Sequence, residues 1–180
     1  MQIYQAIKSD HEKIRHLLNE LLTLEDEESR ARERLLDQLH EELIPHERAE
    51  EAVFYNSIRA VSTAQDLRWD GFREHQELDV LLRKLQGLDA FDVSWKKTAF
   101  RMNEIFTRHT FLEETRIIPL AELLFNTREA EAMAEAFEEM KPEVQDDNIS
   151  QDTLDMIAGL MPARLKAPLR TFAVDARLGL

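Results

Sequence analysis

The sequence predicts an all-α protein: an up-down-up-down four-helix bundle with extra C-terminal helices. Three observations predict it. Helix breakers are scarce, with 4 Gly and 5 Pro in 180 residues, while the helix formers Leu, Ala, Glu and Arg are abundant. Long stretches carry apolar residues at alternating three- and four-residue steps, the stripe of a helix with one buried face. Short connections between them force neighbouring helices to run antiparallel.

The first helix is expected over residues 2–25, with Ile3, Ile7, His11, Ile14, Leu18 and Leu21 as its inner stripe and an acidic connection at 25–28. The second runs from about Ser29, a plausible N-cap, to about Ser62. Leu35, Leu39, Leu43, His46, Glu50 and Val53 mark its stripe. Pro45 lies inside it and should kink or divide the helix, because proline takes away the bond to the carbonyl of Glu41. The third runs from about Thr63 to Gln86, with Arg68, Phe72, His75, Leu78, Asp79, Leu82 and Leu85 on or near one face and Gly87 as its stop. The fourth spans about Asp92 to Phe125, its cap carried by Phe91-Asp92-Val93-Ser94. Met102, Ile105, His109, Leu112, Glu113 and Leu120 point inward, and Pro119 is expected to bend or end the last turns. Thr127 can cap a further helix to about Met140, which Pro142 ends. A polar linker (143–152) leads to an appendix (153–180) bearing Leu154, Met156, Ile157, Leu160, Leu165, Leu169 and Phe172. From Pro162 onward Arg164, Lys166, Arg170 and Arg177 stand against Asp175. The expected division is a bundle with its packing helix over 1–142, and linker plus appendix over 143–180.

Composition narrows the function. The formal net charge of −13 disfavours nucleic acid, whose phosphates need a basic footprint. There is no Cys, which excludes disulfides, Fe–S clusters and thiol nucleophiles. No apolar run reaches membrane-spanning length, and the N-terminus lacks a signal-peptide core, so a cytoplasmic location is expected. No Ser/His/Asp or Cys/His constellation suggests a catalytic residue, and no residue is assigned to an organic cofactor.

The chemistry-bearing residues are histidines and carboxylates. His46 and Glu50, and again His109 and Glu113, are four apart, so each pair shares a helix face. His11 and His75 lie on other apolar stripes. At about 1.5 Å rise per residue, the four histidines sit about twelve to seventeen residues from the turns joining their helices, which puts them in one layer within roughly a turn or two. Inward Glu50 and Glu113 would each be a costly buried charge unless paired or metal-bound. One metal cluster satisfies all six residues; a buried hydrogen-bond network is the alternative. With only imidazole and carboxylate donors the metal would be iron, manganese or zinc. Leu43, Phe72 and Phe106 stand three before His46, His75 and His109, so the ferritin-like Glu-x-x-His pattern is absent. His16 and His40 are expected at the surface, His40 with some chance of supporting a ligand from behind.

Taken together, Asp10-His11, His46-Glu47-x-x-Glu50-Glu51 before Val53-Phe54, Glu74-His75, and His109-x-x-x-Glu113-Glu114 before Ile117-Ile118-Pro119 resemble the hemerythrin-like HHE cation-binding domain over about residues 1–140. The resemblance implies two non-haem irons per chain, oxo- or hydroxo-bridged, with His11, His46, Glu50, His75, His109 and Glu113 as ligands and Glu50 and Glu113 as bridges. Glu47 matches a position that supplies a terminal carboxylate in some members. Asp79 stands where oxygen carriers have a second third-helix His, and is either a ligand or the holder of a bound water. The fourth-helix motif is His-x-x-x-Glu rather than His-x-x-x-x-Asp. More carboxylate and less imidazole favour ferric iron and weigh against reversible oxygen carriage. The family's iron–sulfur repair members carry an additional N-terminal cysteine-containing domain; this sequence begins at the first helix and has no Cys.

The expected function is therefore binding or sensing of O2, NO or peroxide at a di-iron centre. The alternatives are a di-iron oxidoreductase acting on peroxide, catalase-like, and iron buffering. The expected partners are the small ligand itself and, through residues 153–180, a second copy of the chain or another protein, with neither nucleic acid nor membrane.

Overall fold

The structure, a computed structural model, describes residues 1–25, 29–59, 65–89, 92–144 and 149–166, without the side chains of 65–69. The expectations for Ser62, Thr63, Phe91, Leu169, Arg170, Phe172, Asp175 and Arg177, and for the side chain of Arg68, lie outside the described residues.

Four long helical rods form the bundle. The first is α1 (Ile3–Thr23). The second is α2 (Ser29–Ala49), which runs on through a π-helical segment, Glu50–Tyr55, into α3 (Asn56–Ile58). The third is α4 (Gln65–Gly87). The fourth is α5 (Ser94–Leu112), a second π segment, Glu113–Ile117, and α6 (Ile118–Leu124). The rods close a ring in which α1 packs on α2, α2 on α4, α4 on α5 and α5 on α1. A fifth helix, α7 (Thr127–Met140), lies against α1, α2 and the first π segment, and α8 (Gln151–Leu160) packs on α7. Among the described residues no helix is long and apolar enough to cross a membrane.

Local chemistry explains most boundaries. Asn126 and Glu129 make a reciprocal capping box at the start of α7, so the cap is Asn126 and Thr127 is already helical. Ser29 likewise is the first helical residue rather than the cap. The Asp92 carboxylate accepts from the Ser94 N–H at 2.7 Å just ahead of α5, whose N-cap position is Val93. Pro45 does not divide α2. Glu41, whose carbonyl loses its partner there, is on the exposed side of the helix, where water can take the bond. Pro119 does not end the fourth rod either; it follows directly on the π segment, where the hydrogen-bond ladder has already widened.

The core is in two halves. Ile14, Leu18, Leu39, Leu43, Leu78, Leu82, Met102 and Phe106 belong to one. Ile3, Ile7, Val53, Phe54, Ile117 and Ile118 belong to the other, joined by Phe137 and Met140 of α7 and by Ile157, Met161 and Leu165. His11, His46, His75 and His109 fall between the two halves. Every residue from Ala49 to Ile58 is buried, because α7 covers the side of this rod that the bundle leaves open.

Candidate metal centre

The apolar stripes carry six polar residues into the middle of the bundle. His11, His46, Glu50 and His75 are 0% exposed, and His109 and Glu113 1%. Their atoms converge on two carboxylate oxygens. Glu50 Oε2 lies 3.4 Å from His75 Nε2 and 3.8 Å from both His46 Nε2 and His109 Nε2. Glu113 Oε2 lies 3.2 Å from His11 Nε2 and 3.4 Å from His109 Nε2. One ligand atom from each of His11, Glu50, His109 and Glu113 falls within a 4.8 Å group, with His46 and His75 reaching it through Glu50. Each π segment begins at one of the two central carboxylates, a placement typical of π-bulges at functional sites.

Each histidine has an acid behind it. Glu114 Oε1 lies 3.0 Å from His11 Nδ1, Glu51 Oε1 2.8 Å from His75 Nδ1, and Glu74 Oε2 3.3 Å from His109 Nδ1. Asp10 Oδ2 lies 3.6 Å from His46 Nδ1, the longest of the four. A carboxylate on Nδ1 keeps the ring proton there and leaves the Nε2 lone pair facing the centre, as metal-binding histidines require. Behind each acid stands a cation: Arg15 on Glu114, Arg48 on Glu51, Arg108 on Glu74, and Lys13 and Lys141 on Asp10.

Burial and neighbours set the protonation. Burial holds His46 neutral, down at about 4, and pushes His75 well below the imidazole range. Burial opposes charge on His109 too, but Glu113, Glu50 and Glu74 outweigh it and lift it to about 10. His11 is raised in the same way by Glu113 and Glu114, against its burial. Burial and the charge of Glu113 push Glu50 up, whereas His109, His11 and Tyr55 outweigh burial and hold Glu113 below the carboxylate range.

The two other expected site residues lie beside Arg48. The Asp79 carboxylate is paired with the Arg48 guanidinium, and Glu47, also near Arg48, is pushed well up by burial and by Asp79. His16 is exposed beside Glu20, and His40 is half-buried beside a surface groove with Ile44, Pro45 and Lys141.

Sequence reasoning passed over Tyr55. Its hydroxyl donates to Glu113 Oε1 from within the first π segment, and its ring stacks on His75 at 5.7 Å and 10°. No motif signals this, because the π turn decides where the ring points. The supporting acids were visible as neighbours of ligand candidates, but the helix each would face was not.

The fit to a metal is tested by unmet polar atoms. Among the described residues, His11 Nε2, His46 Nε2, both oxygens of Glu50 and Glu113 Oε2 are buried with no hydrogen-bond partner, as are His46 Nδ1, both oxygens of Glu47 and Asp79 Oδ1. Buried polar groups are rarely left so, and the first five are imidazole and carboxylate atoms of the types that bind hard or borderline cations. A family model, the hemerythrin HHE cation binding domain, matches residues 2–121. The chain belongs to the hemerythrin HHE cation-binding family. The matched stretch contains the whole His/Glu cluster, which is consistent with di-iron-type coordination in a hemerythrin-like bundle. It stops within α6, so α7, Lys141 and α8 are additions to the matched hemerythrin domain. Comparison with curated proteins found no match.

Proposed function

We propose that this hemerythrin-like chain holds two non-haem iron ions and binds or senses O2, NO or peroxide at them. The observation that carries this reading is the convergence of imidazole nitrogens on Glu50 Oε2 and Glu113 Oε2, which gathers imidazole and carboxylate donors in one buried place. Of the eight residues expected, we assign six as ligands: His11, His46, His75 and His109 as terminal donors, Glu50 and Glu113 as bridges. Arg48 against Asp79 supports leaving Asp79 and its neighbour Glu47 outside the set, since a fixed cation beside them opposes a second one. Bound iron supplies an open Lewis-acidic, redox-active position for the small ligand. The residues of the chain hold it, exclude bulk water with the two apolar half-cores, and fix the tautomers of His11, His75 and His109 through Glu114, Glu51 and Glu74.

A second reading, oxidative turnover of peroxide, is favoured by one observation. The Tyr55 phenol donates to a central carboxylate and is kept protonated by burial, so it is a fixed hydrogen-bond donor beside the centre. Anaerobic loading with ferrous iron, followed by titration with O2, NO and peroxide under absorbance, separates the two. A stoichiometric spectral change without turnover supports binding or sensing; repeated peroxide consumption supports the enzyme. In the sensing reading, output passes through residues 153–180 to a second copy of the chain or another protein. Truncation at about residue 145 that leaves the oligomeric state and all protein contacts unchanged would contradict that route.

A further inference from the structure

His46 is the least supported of the four histidines. The other three have a carboxylate oxygen within 2.8–3.3 Å of Nδ1, but the Asp10 oxygen behind His46 is at 3.6 Å. That same oxygen, Asp10 Oδ2, receives the Lys141 ammonium at 2.8 Å. The other oxygen, Oδ1, receives Lys13 at 3.0 Å. Asp10 is 2% exposed, whereas the Lys13 side chain is 51% exposed and that of Lys141 17%. The two lysines therefore pull in different directions, Lys13 toward solvent and Lys141 on the side of His46. Lys141 follows directly on α7, whose Phe137 ring meets the His46 ring edge-on at 5.9 Å. Both residues lie past the stretch that matches the family model.

We propose that Lys141 is a positioning residue for the metal centre: through Asp10 it holds His46, so that the added helix α7 sets how firmly the His46 arm retains metal. Without Lys141 the carboxylate keeps only Lys13 and turns with it toward solvent. His46 Nδ1 then loses its nearest carboxylate, in a pocket where neither of its ring nitrogens has a hydrogen-bond partner. The effect falls on this arm alone, because the acids behind His11, His75 and His109 have their own cations. The inference rests on the metal-binding reading above.

The test is release of iron from the loaded full-length protein to an excess of chelator, followed by absorbance, with elemental analysis of what remains. The variants are Lys141→Met, Lys141→Arg, Asp10→Asn and the double variant Lys141→Met/Asp10→Asn; Glu138→Gln, which removes another ion-pair partner of Lys141, is the control. The expected result is that Lys141→Met speeds release of one iron equivalent by about 10-fold or more and leaves the other at the wild-type rate. Lys141→Arg restores retention, Glu138→Gln matches wild type, and the double variant is no worse than Asp10→Asn. Thermal melts of the metal-free proteins keep the test valid: the loss of retention is expected with a melt close to that of wild type. Release from Lys141→Met at the wild-type rate overturns the proposal, as do equal acceleration of both equivalents and a double variant whose effects add. A wild-type protein that takes up no iron sinks the metal-binding reading itself, which is a different result from wild type loading normally and Lys141→Met behaving like it.

Discussion

Glu74 precedes His75 in the chain, but its carboxylate meets His109 Nδ1, on another helix, at 3.3 Å. The same exchange occurs around the site. Asp10 precedes His11 and faces His46, Glu51 faces His75, and Glu114 faces His11. Adjacent helical residues point about 100° apart, so an acid beside an inward ligand candidate is aimed at the neighbouring helix. The centre is thus laced across helix pairs, and a change behind one histidine is felt by the helix that supplies the acid.

That lacing predicts a loss of metal affinity without loss of ligands. Glu74→Gln and Glu114→Gln should each weaken metal binding by about 10–100-fold, measured by competition with a chelator of known affinity. His16→Ala, on the exposed face of α1, should leave affinity unchanged. Equal affinities in all three variants would remove the supporting role of the acids.

Tyr55 also constrains the opposite helix. A Cβ placed on Gly71 would lie 2.5 Å from the Tyr55 hydroxyl oxygen and 2.9 Å from two ring carbons. Gly71→Ala should therefore displace a fully buried ring stacked on His75 and cost about 1–3 kcal/mol by overpacking. Gly159→Ala in α8 meets nothing within 4 Å and should be stabilising by roughly 0.5–1 kcal/mol, as glycine is a poor helix former. Denaturant melts of the two variants check both signs.

Removing only the hydroxyl keeps the packing. Tyr55→Phe keeps the ring and deletes the bond to the buried Glu113 carboxylate, so stability should fall by about 1.5–3 kcal/mol. The absorption of the iron-loaded protein should shift, because Glu113 loses a donor. An unchanged spectrum would mean that Tyr55 does not act on the centre.

The pH dependence follows from His109. Lifted to about 10 in the metal-free protein, it carries a proton at pH 7 that a ligating imidazole must give up. Metal uptake at pH 7 should therefore release a proton from this residue and another from Glu50, which burial and Glu113 lift to about 8, and affinity should rise with pH. The sign is the same on the acid side: below about pH 6 imidazoles regain protons and metal is lost. Calorimetry in buffers of different ionisation enthalpy measures the proton count; uptake with no proton release would contradict the charge assignment.

Helix periodicity made much of this legible. The stripes through Ile3–Leu21 and Leu35–Val53 are buried as read, and the shared layer of His11, His46, His75 and His109 followed from counting residues to the turns. The two π segments were not legible. One shifted hydrogen bond leaves the apolar pattern of Val53-Phe54 or Ile117-Ile118 nearly intact, yet it turns Tyr55 toward Glu113. The cap of α7 was misplaced by one residue because Asn126 and Thr127 are both capping types, and only the reciprocal bond to Glu129 decides between them. Asp79 reads as one turn from His75 on the same face, but Arg48, from the neighbouring helix, takes its carboxylate. Pairing between helices of that kind has no signature in local spacing.

The most direct test of the central claim is the metal content of the protein purified without added metal, by elemental analysis, repeated after anaerobic exposure to ferrous iron. The account predicts close to two irons per chain, lost in parallel with substitution of Glu50 or Glu113. No metal before or after loading, with the fold intact, would contradict it and leave the six buried groups as a hydrogen-bonded polar layer.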